Sequence, residues 1–222
     1  MNINISQSNL LSGREYRGAA RIDGPLVTMR NTHNVGYGEL VELSTGDGKI
    51  RLGQVLDTSD EIVVVQVFEG TDGLSMPGTG MRFLGEPLTL AVSEQMLGRV
   101  MNGLGKSRDG SATPRGYAER DVNGEPINPT AREYPRDFIQ TGISVIDGLT
   151  TLIQGQKLPI FSGSGLSHNQ LAAQIARQAK VRGSGGDFAT IFVAMGVKYD
   201  VAKYFIDSFE ESGVLDNVAL FL

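Results

Sequence analysis

The sequence predicts a mixed fold, with a small closed β-barrel in its first part and an α/β domain on a parallel sheet in its last part. Short apolar segments separated by glycine and aspartate turns fill residues 16–92, and closely spaced short strands of this kind are typical of small barrels. From residue 138 onward, strand-length apolar runs alternate with segments of helical spacing. Glycine is abundant, at 29 of 222 residues, which favours turns and tight loops over long helices.

Composition excludes several classes of function. The formal net charge of −5 gives no electrostatic basis for binding nucleic acid, and the absence of cysteine excludes disulfides and thiolate metal sites. No apolar run approaches the roughly 20 residues that span a bilayer. The two histidines, His33 and His168, show no ligand spacing with other metal-binding residues. We therefore expect no nucleic-acid partner, no metal site and no direct membrane insertion.

The first part of the chain divides into a lead-in and a barrel. Residues 1–15 are rich in polar side chains and are expected to be flexible. The barrel, predicted over residues 16–92, has candidate strands at residues 16–22, 26–30, 39–43, 50–56, 61–68, 81–84 and 88–92. We expect it to serve structure or assembly, because an oligonucleotide-binding barrel needs a basic groove and stacking aromatics. Here the aromatics are sparse and acidic residues are interleaved.

Residues 93–137 are predicted to form a long connecting region between the two domains. Ser93 is placed to cap one short helix, after which Gly, Pro, Asp and Arg recur without periodicity. The first interpretation is a solvated, ordered loop. The second is a contact surface for another subunit, since long loops in compact proteins often carry interactions.

Residues 138–222 are predicted to fold as an incomplete α/β domain. We place helices at residues 143–147, 169–181 and 199–212, and strands at residues 157–161, 188–195 and 218–222. Residues 182–186 are expected to end the second helix, and Gly213 to cap the third. Strand 188–195 is predicted to be buried on both faces. The alternation implies a parallel sheet with right-handed crossovers, and an apolar strand at the end of the sequence suggests a fragment of a longer protein.

The most informative stretch lies between the first strand and the long helix of this domain. It comprises Ser162, Gly163, Ser164, Gly165, Leu166, Ser167, His168 and Asn169. A strand, a glycine/serine loop and a helix start form, in this order, the architecture of a phosphate-binding loop, in which backbone N–H groups hold an anion.

The residues that give such a loop its chemistry are replaced. Against the pattern G-x-x-x-x-G-K-[ST], Ser162 and Ser167 replace the two glycines, His168 replaces the lysine, and Asn169 replaces the magnesium-binding hydroxyl residue. Histidine is mostly neutral at pH 7 and is shorter than lysine. We therefore predict a degenerate phosphate loop with weak or vestigial nucleotide binding and no catalytic residue. The alternative is a plain connection that packs against a neighbouring subunit.

Several long segments, matching in order, carry a family resemblance. Residues 52–57 (LGQVLD), 64–71 (VVQVFEGT), 137–148 (DFIQTGISVIDG) and 155–161 (GQKLPIF) are similar to the B subunit, or beta chain, of the V-type/A-type rotary ATPases. The resemblance extends from about Tyr16 to the last residue. It implies a barrel followed by a RecA-like domain of the P-loop NTPase type. It also implies that the rest of that domain, a helical domain and the arginine reaching the neighbouring catalytic site lie beyond residue 222.

The resemblance further implies a non-catalytic, regulatory subunit in the soluble head of a rotary ATP synthase or ATPase. Such B subunits alternate with catalytic A subunits in a hexamer, contact central and peripheral stalk subunits, and couple ATP synthesis or hydrolysis to proton or sodium transport. The chain itself would require no cofactor, and ATP or ADP would bind weakly or at the interface with the A subunit. The protein would be cytoplasmic and peripheral to the membrane through the complex.

A second position agrees with a non-catalytic subunit. The catalytic subunits of the related F-type enzymes carry Gly-Glu-Arg after the second strand. The glutamate carboxylate of this motif orients the attacking water. The matching positions here are Val197, Lys198 and Tyr199, and Asp147 is expected to cap or pair locally. Two alternatives stay open: an active P-loop ATPase, and an RNA-dependent hexameric motor of the kind found in transcription-termination helicases, against which the acidic charge counts.

Overall fold

The structure is a computed structural model that describes residues 13–46, 48–134, 136–182 and 188–222. The described chain forms two compact units, each treated separately below. The barrel unit contains the chain up to Thr89 together with Asp121–Gly124, and the α/β unit contains Leu90–Arg120 together with Glu125–Leu222. Most of the predicted lead-in, residues 1–12, and the glycine-rich residues 183–186 lie outside the described residues.

The barrel unit is built on one antiparallel sheet of seven strands. The strands are β1 Arg14–Arg17, β2 Arg21–Asp23, β3 Leu26–Arg30, β4 Glu39–Ser44, β5 Ile50–Thr58, β6 Ile62–Val67 and β7 Gly80–Pro87. Their order in the sheet is β1-β7-β4-β5-β6-β3-β2, and all six neighbouring pairs are antiparallel.

Chain connectivity requires this sheet to curl. Strands β1 and β2 are its opposite edges, yet only Gly18, Ala19 and Ala20 separate them in the sequence. Seven flat strands at about 4.8 Å spacing would hold the edges roughly 29 Å apart. The short link spans at most about 14 Å. The sheet therefore closes on itself, which confirms the predicted barrel.

The barrel core comes from alternating positions on these strands. Its fully or almost fully buried members are Val27, Met29, Val41, Leu43, Val55, Val63, Val65, Val67, Met81 and Phe83. Period-two alternation is what a sheet with one buried face requires. The prediction of one strand over residues 16–22 was wrong, because Gly18 adopts a φ of +88° and divides it into β1 and β2.

The rest of the described chain adds seven strands and three α-helices. These are β8 Thr89–Val92, β9 Val100–Met101, β10 Ala118–Asp121, β11 Phe138–Gln140, α1 Ser144–Leu149, α2 His168–Gln178, β12 Lys180–Arg182, β13 Thr190–Val193, α3 Tyr199–Glu211 and β14 Val218–Phe221. Strand β8 pairs with β10, and β11 pairs antiparallel with β12. Short 3₁₀ turns lie at Glu94–Met96, Pro129–Ala131 and Leu215–Asn217.

A three-stranded parallel sheet, in the order β13-β14-β9, forms the centre of the α/β unit. This confirms the predicted parallel sheet. Helices α2 and α3 cover one of its faces, where Ala173, Phe205 and Phe209 pack with Val218 and Leu220. The amphipathic pattern of α3 was predicted correctly. A helix that packs on a sheet needs apolar residues at helical spacing along one face, and the sequence shows this spacing.

The end of α3 also follows the prediction. Gly213 has a φ of +68°, and its N–H donates to the carbonyl of Glu210. The N–H of Val214 donates to the carbonyl of Phe209. These two bonds form the glycine-capped helix end in which a left-handed residue satisfies the last free carbonyls.

The connecting region contributes more structure than predicted. Its residues Val100 and Met101 form β9, which pairs in parallel with Leu220 and Phe221 of β14. The short helix expected after Ser93 is only a 3₁₀ turn, and the Ser93 side chain makes no capping bond. A two-residue strand has no detectable period, so the sequence pattern could not reveal β9.

Three further predictions in the last part were wrong. Residues 157–161 pair with no strand in the described chain, and Phe161 is 91% exposed. Helix α2 ends at Gln178 rather than residue 181, because the next residues pair with β11 as β12. Within the described chain, strand β13 is an edge strand, and one of its faces is open, with Ile191 61% exposed and Val193 50% exposed.

Candidate phosphate loop

The candidate loop lies directly before α2. Residues 163–166 form a turn in which the N–H of Leu166 donates to the carbonyl of Gly163 over 3.4 Å. Gly165 has a φ of +84°, a left-handed conformation that glycine adopts without steric cost. The helix starts at His168, and Ser167 is its capping position, although the Ser167 side chain makes no capping bond.

The structure brings two of the predicted site residues together across the turn. The Oγ atom of Ser162 lies 2.9 Å from Nδ1 of His168, which is hydrogen-bonding distance. These residues replace the first glycine and the lysine of an intact loop. Both substitutions are evident from the sequence, but their contact was not predicted. The available signal for it was the spacing of six residues across a glycine turn.

Several backbone amides of the loop remain available to an anion. Within the described chain, the N–H groups of Ser164, Gly165, Ser167 and Asn169 donate to no backbone acceptor. Free amides at the start of an 11-residue helix carry partial positive charge. Backbone donors without an acceptor are the groups that a phosphate-binding loop offers to an anion.

The side chains present do not fit a magnesium-bound nucleotide held in the manner of an intact loop. Residues 162–169 contain no lysine or arginine, and Asn169 offers an amide where a hydroxyl would bind the metal. The whole segment from Phe161 to His168 is exposed. No catalytic step can be assigned to these residues.

Asp147 braces the turn before α1, in agreement with its predicted local role. Its Oδ1 accepts from the Thr141 hydroxyl at 2.7 Å and from the Thr141 N–H at 2.9 Å. Its Oδ2 accepts from the Gly142 N–H at 2.9 Å. The hydroxyl, followed by the two amides, lowers the pKa of Asp147, while partial desolvation acts in the opposite direction.

Lys198 lies after β13 and caps the start of α3. Its carbonyl accepts from the N–H of Ala202 at 3.1 Å, and its backbone is extended. It therefore stands beyond the carboxyl end of a parallel strand, the edge of such sheets where ligands bind. The residue at this position is a cation, which cannot act as the base that orients a water.

A charged network that the sequence pattern did not reveal fixes the start of the connecting region. Nε of Arg99 donates to Oδ2 of Asp109 at 2.6 Å, and Nη2 donates to Oδ1 at 3.0 Å. Asp109 also accepts from the hydroxyl of Ser107 at 2.6 Å and from the N–H of Ser111 at 3.0 Å. Arg99 and then Ser107 hold the pKa of Asp109 well below its usual range. This network anchors β9, which begins next to Arg99.

The described residues contain neither a metal cluster nor a helix that could span a membrane. Among them, no group of three or more His, Cys, Asp or Glu side chains is placed so that it could hold a metal ion. Among the helices they form, none combines the length and the apolar character needed to cross a membrane.

Comparison with known proteins identifies the family. The model of the nucleotide-binding domain of the ATP synthase alpha/beta family matches residues 142–222, and the model of that family's beta-barrel domain matches residues 20–85. These two matches correspond to the parallel-sheet region and the seven-stranded barrel. The chain belongs to the ATP synthase alpha/beta family.

Within that family the similarity is to the B subunit, or beta chain, of A-type and V-type ATP synthases. The chain is 54% identical over 212 residues to the B subunit of the A-type ATP synthase of Aeropyrum pernix, covering 96% of this chain and 46% of that protein. It is 55% identical over 210 residues to the A-type ATP synthase B subunit of Nitrosopumilus maritimus, covering 95% and 46%. It is 54% identical over 209 residues to the V-type ATP synthase beta chain of Halothermothrix orenii, covering 94% and 45%.

The coverage values also show how much of these relatives the chain corresponds to. It spans about half the length of the curated relatives that it matches. The matched half contains the barrel and the start of the nucleotide-binding domain. The family assignment confirms the resemblance seen in the sequence.

Proposed function

We propose that this chain is part of a non-catalytic, regulatory subunit in the soluble head of an A/V-type rotary ATP synthase or ATPase. The observation that carries the proposal is the loop at residues 162–169. Its histidine is hydrogen-bonded to Ser162 within the loop, and no cationic side chain is present to neutralise a triphosphate. A phosphoryl-transfer site depends on such neutralisation.

The second altered position supports the same proposal. Lys198 occupies the place matched to the glutamate of a catalytic subunit. A single substitution in a phosphate loop leaves the possibility of a rearranged active site. Two independent losses, of the phosphate-binding cation and of the base, favour a subunit without its own chemistry.

The proposed mechanism is structural. Subunits of this kind alternate with catalytic A subunits in a ring and contact the central and peripheral stalks. They complete the nucleotide sites at the interfaces and transmit conformational change that couples ATP turnover to proton or sodium transport. The degenerate loop contributes, at most, backbone amides to a weakly held phosphate group of ATP or ADP. The protein works in the cytoplasm and reaches the membrane through the complex.

Reconstitution with the catalytic partner tests this proposal. The full-length protein and its A subunit are purified separately, mixed, and examined by mass photometry and by an ATPase assay. We expect an alternating complex of six subunits, with hydrolysis that depends on the presence of both. Failure to form a mixed complex, or equal activity of the A subunit alone, would contradict the proposal.

A further inference from the structure

An asparagine–glycine pair begins the hairpin loop that follows β9. An antiparallel bridge between Met101 and Ser107 closes this hairpin, and residues 102–106 form its loop. The N–H of Asn102 donates to the carbonyl of Lys106 across the base of the loop at 2.8 Å. The main chain therefore fixes the position of Asn102 at the start of the turn.

The side-chain carbonyl of Asn102 accepts two backbone N–H groups. Its Oδ1 atom lies 3.0 Å from the nitrogen of Leu104 and 2.9 Å from the nitrogen of Lys106. Two N–H groups that point at one carbonyl oxygen form an oxyanion hole, which stabilises the negative charge that develops on this oxygen during attack on the carbonyl carbon. The carbon that these donors activate is Cγ of Asn102.

The nucleophile beside this carbon is the backbone nitrogen of Gly103. Its N–H donates to no acceptor among the described residues. The bond from the Leu104 N–H to Oδ1 of Asn102 closes a ring that contains the Gly103 nitrogen, so the carbonyl and the nucleophile are held on one small ring. Gly103 has no side chain to obstruct their approach. No described atom outside its chain neighbours lies within 4 Å of the place where a Cβ atom would be.

We propose that Asn102, a residue type that is thermally labile in proteins, is a site of spontaneous deamidation that this hairpin assists. The Gly103 nitrogen loses its proton to water and attacks Cγ of Asn102, and negative charge develops on Oδ1 between its two donors. The Cγ–Nδ2 bond then breaks, and Nδ2 takes up a proton from water and leaves as ammonia. Water opens the resulting succinimide at either carbonyl, which leaves aspartate or isoaspartate at position 102. The net reaction consumes water and releases ammonia.

The chain contains a second asparagine–glycine pair, which lacks this arrangement. No described residue donates to Oδ1 of Asn123. Its Nδ2 atom donates to Oδ1 of Asp121 at 3.0 Å, and the N–H of Gly124 donates to the carbonyl of Asp121 at 3.0 Å. The leaving group and the attacking nitrogen are both held by hydrogen bonds there. Asn123 is therefore the matched comparison within the same molecule.

The geometry is local to one hairpin. Every donor and acceptor in it belongs to residues 102–106, so the inference depends neither on the proposed function nor on the part of the relatives that this chain does not span. Gly103 and Lys106 are exposed, which gives water the access that opening of the succinimide requires. The change would also reach the sheet, because the carbonyl of Met101, directly before Asn102, accepts from the N–H of Leu222 at 2.8 Å.

Peptide mapping of the full-length protein tests this inference. The two asparagine–glycine pairs fall on different tryptic peptides, residues 100–106 and residues 121–132. The folded protein is incubated at mildly alkaline pH in ¹⁸O-labelled water, so that newly formed aspartate and isoaspartate carry the label, and mass spectrometry follows both positions. Synthetic peptides of residues 99–107 and 120–126 in the same buffer give the rate of each pair without the fold.

We expect position 102 to convert at least as fast in the folded protein as in its peptide, because the hairpin supplies two donors to Oδ1. Position 123 should convert at least about threefold more slowly in the protein than in its peptide, because the Gly124 N–H is held by a hydrogen bond. Gly103→Ala, for which the hairpin has space, should slow conversion at position 102 and leave position 123 unchanged. Slower conversion at position 102 in the protein than in its peptide would overturn the inference, because the hairpin would then protect the asparagine. Equal rates at the two positions of the folded protein would overturn it as well.

Discussion

The Nδ1 atom of His168 lies 2.9 Å from the Oγ atom of Ser162. This hydrogen bond connects the first position of the candidate phosphate loop, Ser162, with the position where an intact loop has its lysine, His168. A lysine there would extend toward the β- and γ-phosphates of a nucleotide. The imidazole instead forms a hydrogen bond within the loop. This contact adds a structural reason to the sequence-based prediction that the loop is degenerate.

Restoring the missing side chains should restore affinity. We expect the variant Ser162→Gly/Ser167→Gly/His168→Lys/Asn169→Thr to bind Mg·ADP at least tenfold more tightly than the unaltered protein, because the cation and the hydroxyl return together. Isothermal titration calorimetry measures both affinities. Ser164→Ala, which changes the same loop without adding a cation, is the matched control. Tight Mg·ADP binding by the unaltered loop would show that the missing side chains are not what limits affinity.

The position of the candidate loop could be predicted from the sequence, whereas the structure of the segment before it could not. Spacing and residue type alone identify residues 162–169 and their substitutions. The strand expected at residues 157–161 has the right apolar content, but a strand also needs partners, and none pairs with it in the described chain. Apolar composition cannot report whether a hydrogen-bonding neighbour is present.

The network around Asp109 should make the stability of the α/β unit depend on pH. The pKa of Asp109 is lowered in the folded state, mainly by Arg99, relative to an unfolded value of about 3.9. The unfolded chain therefore takes up a proton first as the pH falls. The stabilising contribution is complete above the unfolded pKa and is lost as the pH falls below about 4 toward the folded pKa.

Asp109→Asn tests this contribution. At pH 7 the variant should be destabilised by about 1–2 kcal/mol, because it breaks charge-assisted bonds to Arg99. The difference from the unaltered protein should shrink as the pH is lowered from about 5 to about 3. Urea unfolding across this pH range measures it, and Asp216→Asn, at an exposed position, is the control. A difference that stayed constant over the whole range would rule out the linkage.

A side chain added at Gly53 would clash with atoms of the barrel core. A Cβ atom there would lie 2.6 Å from the carbonyl oxygen of Gln66 and 2.9 Å from Cγ1 of Val65. Gly53→Ala should therefore destabilise the barrel by about 1–3 kcal/mol through overpacking. Gly46→Ala should have a much smaller effect, because no described residue other than its chain neighbours has an atom within 4 Å of the added carbon. Equal urea midpoints for the two variants would show that the barrel tolerates the added carbon.

The role of Asp147 can be tested at two amides. Asp147→Asn should speed hydrogen exchange at the N–H groups of Thr141 and Gly142, because both donate to the carboxylate. Exchange within α3 should not change, which provides an internal control in the same sample. Unchanged exchange at both amides would mean that the carboxylate does not hold this turn in solution.

The barrel and α3 were easier to predict from the sequence than the short elements. Alternation in β3 and β6, and the helical spacing of Phe205 and Phe209, are signals that extend over several residues. Strand β9 and the contact of Arg99 with Asp109 depend on tertiary pairing and leave no periodic signal. Sequence periodicity therefore captured the long elements and missed the connecting region.

ATP turnover by the isolated full-length protein is the most direct test of a non-catalytic subunit. The assay measures phosphate release with Mg·ATP, with the reconstituted A-subunit complex as the positive control. We expect no turnover above background by the isolated protein and no effect of His168→Ala on that background. Steady hydrolysis that His168→Ala abolishes would contradict the proposed role, because the loop would then carry catalysis itself.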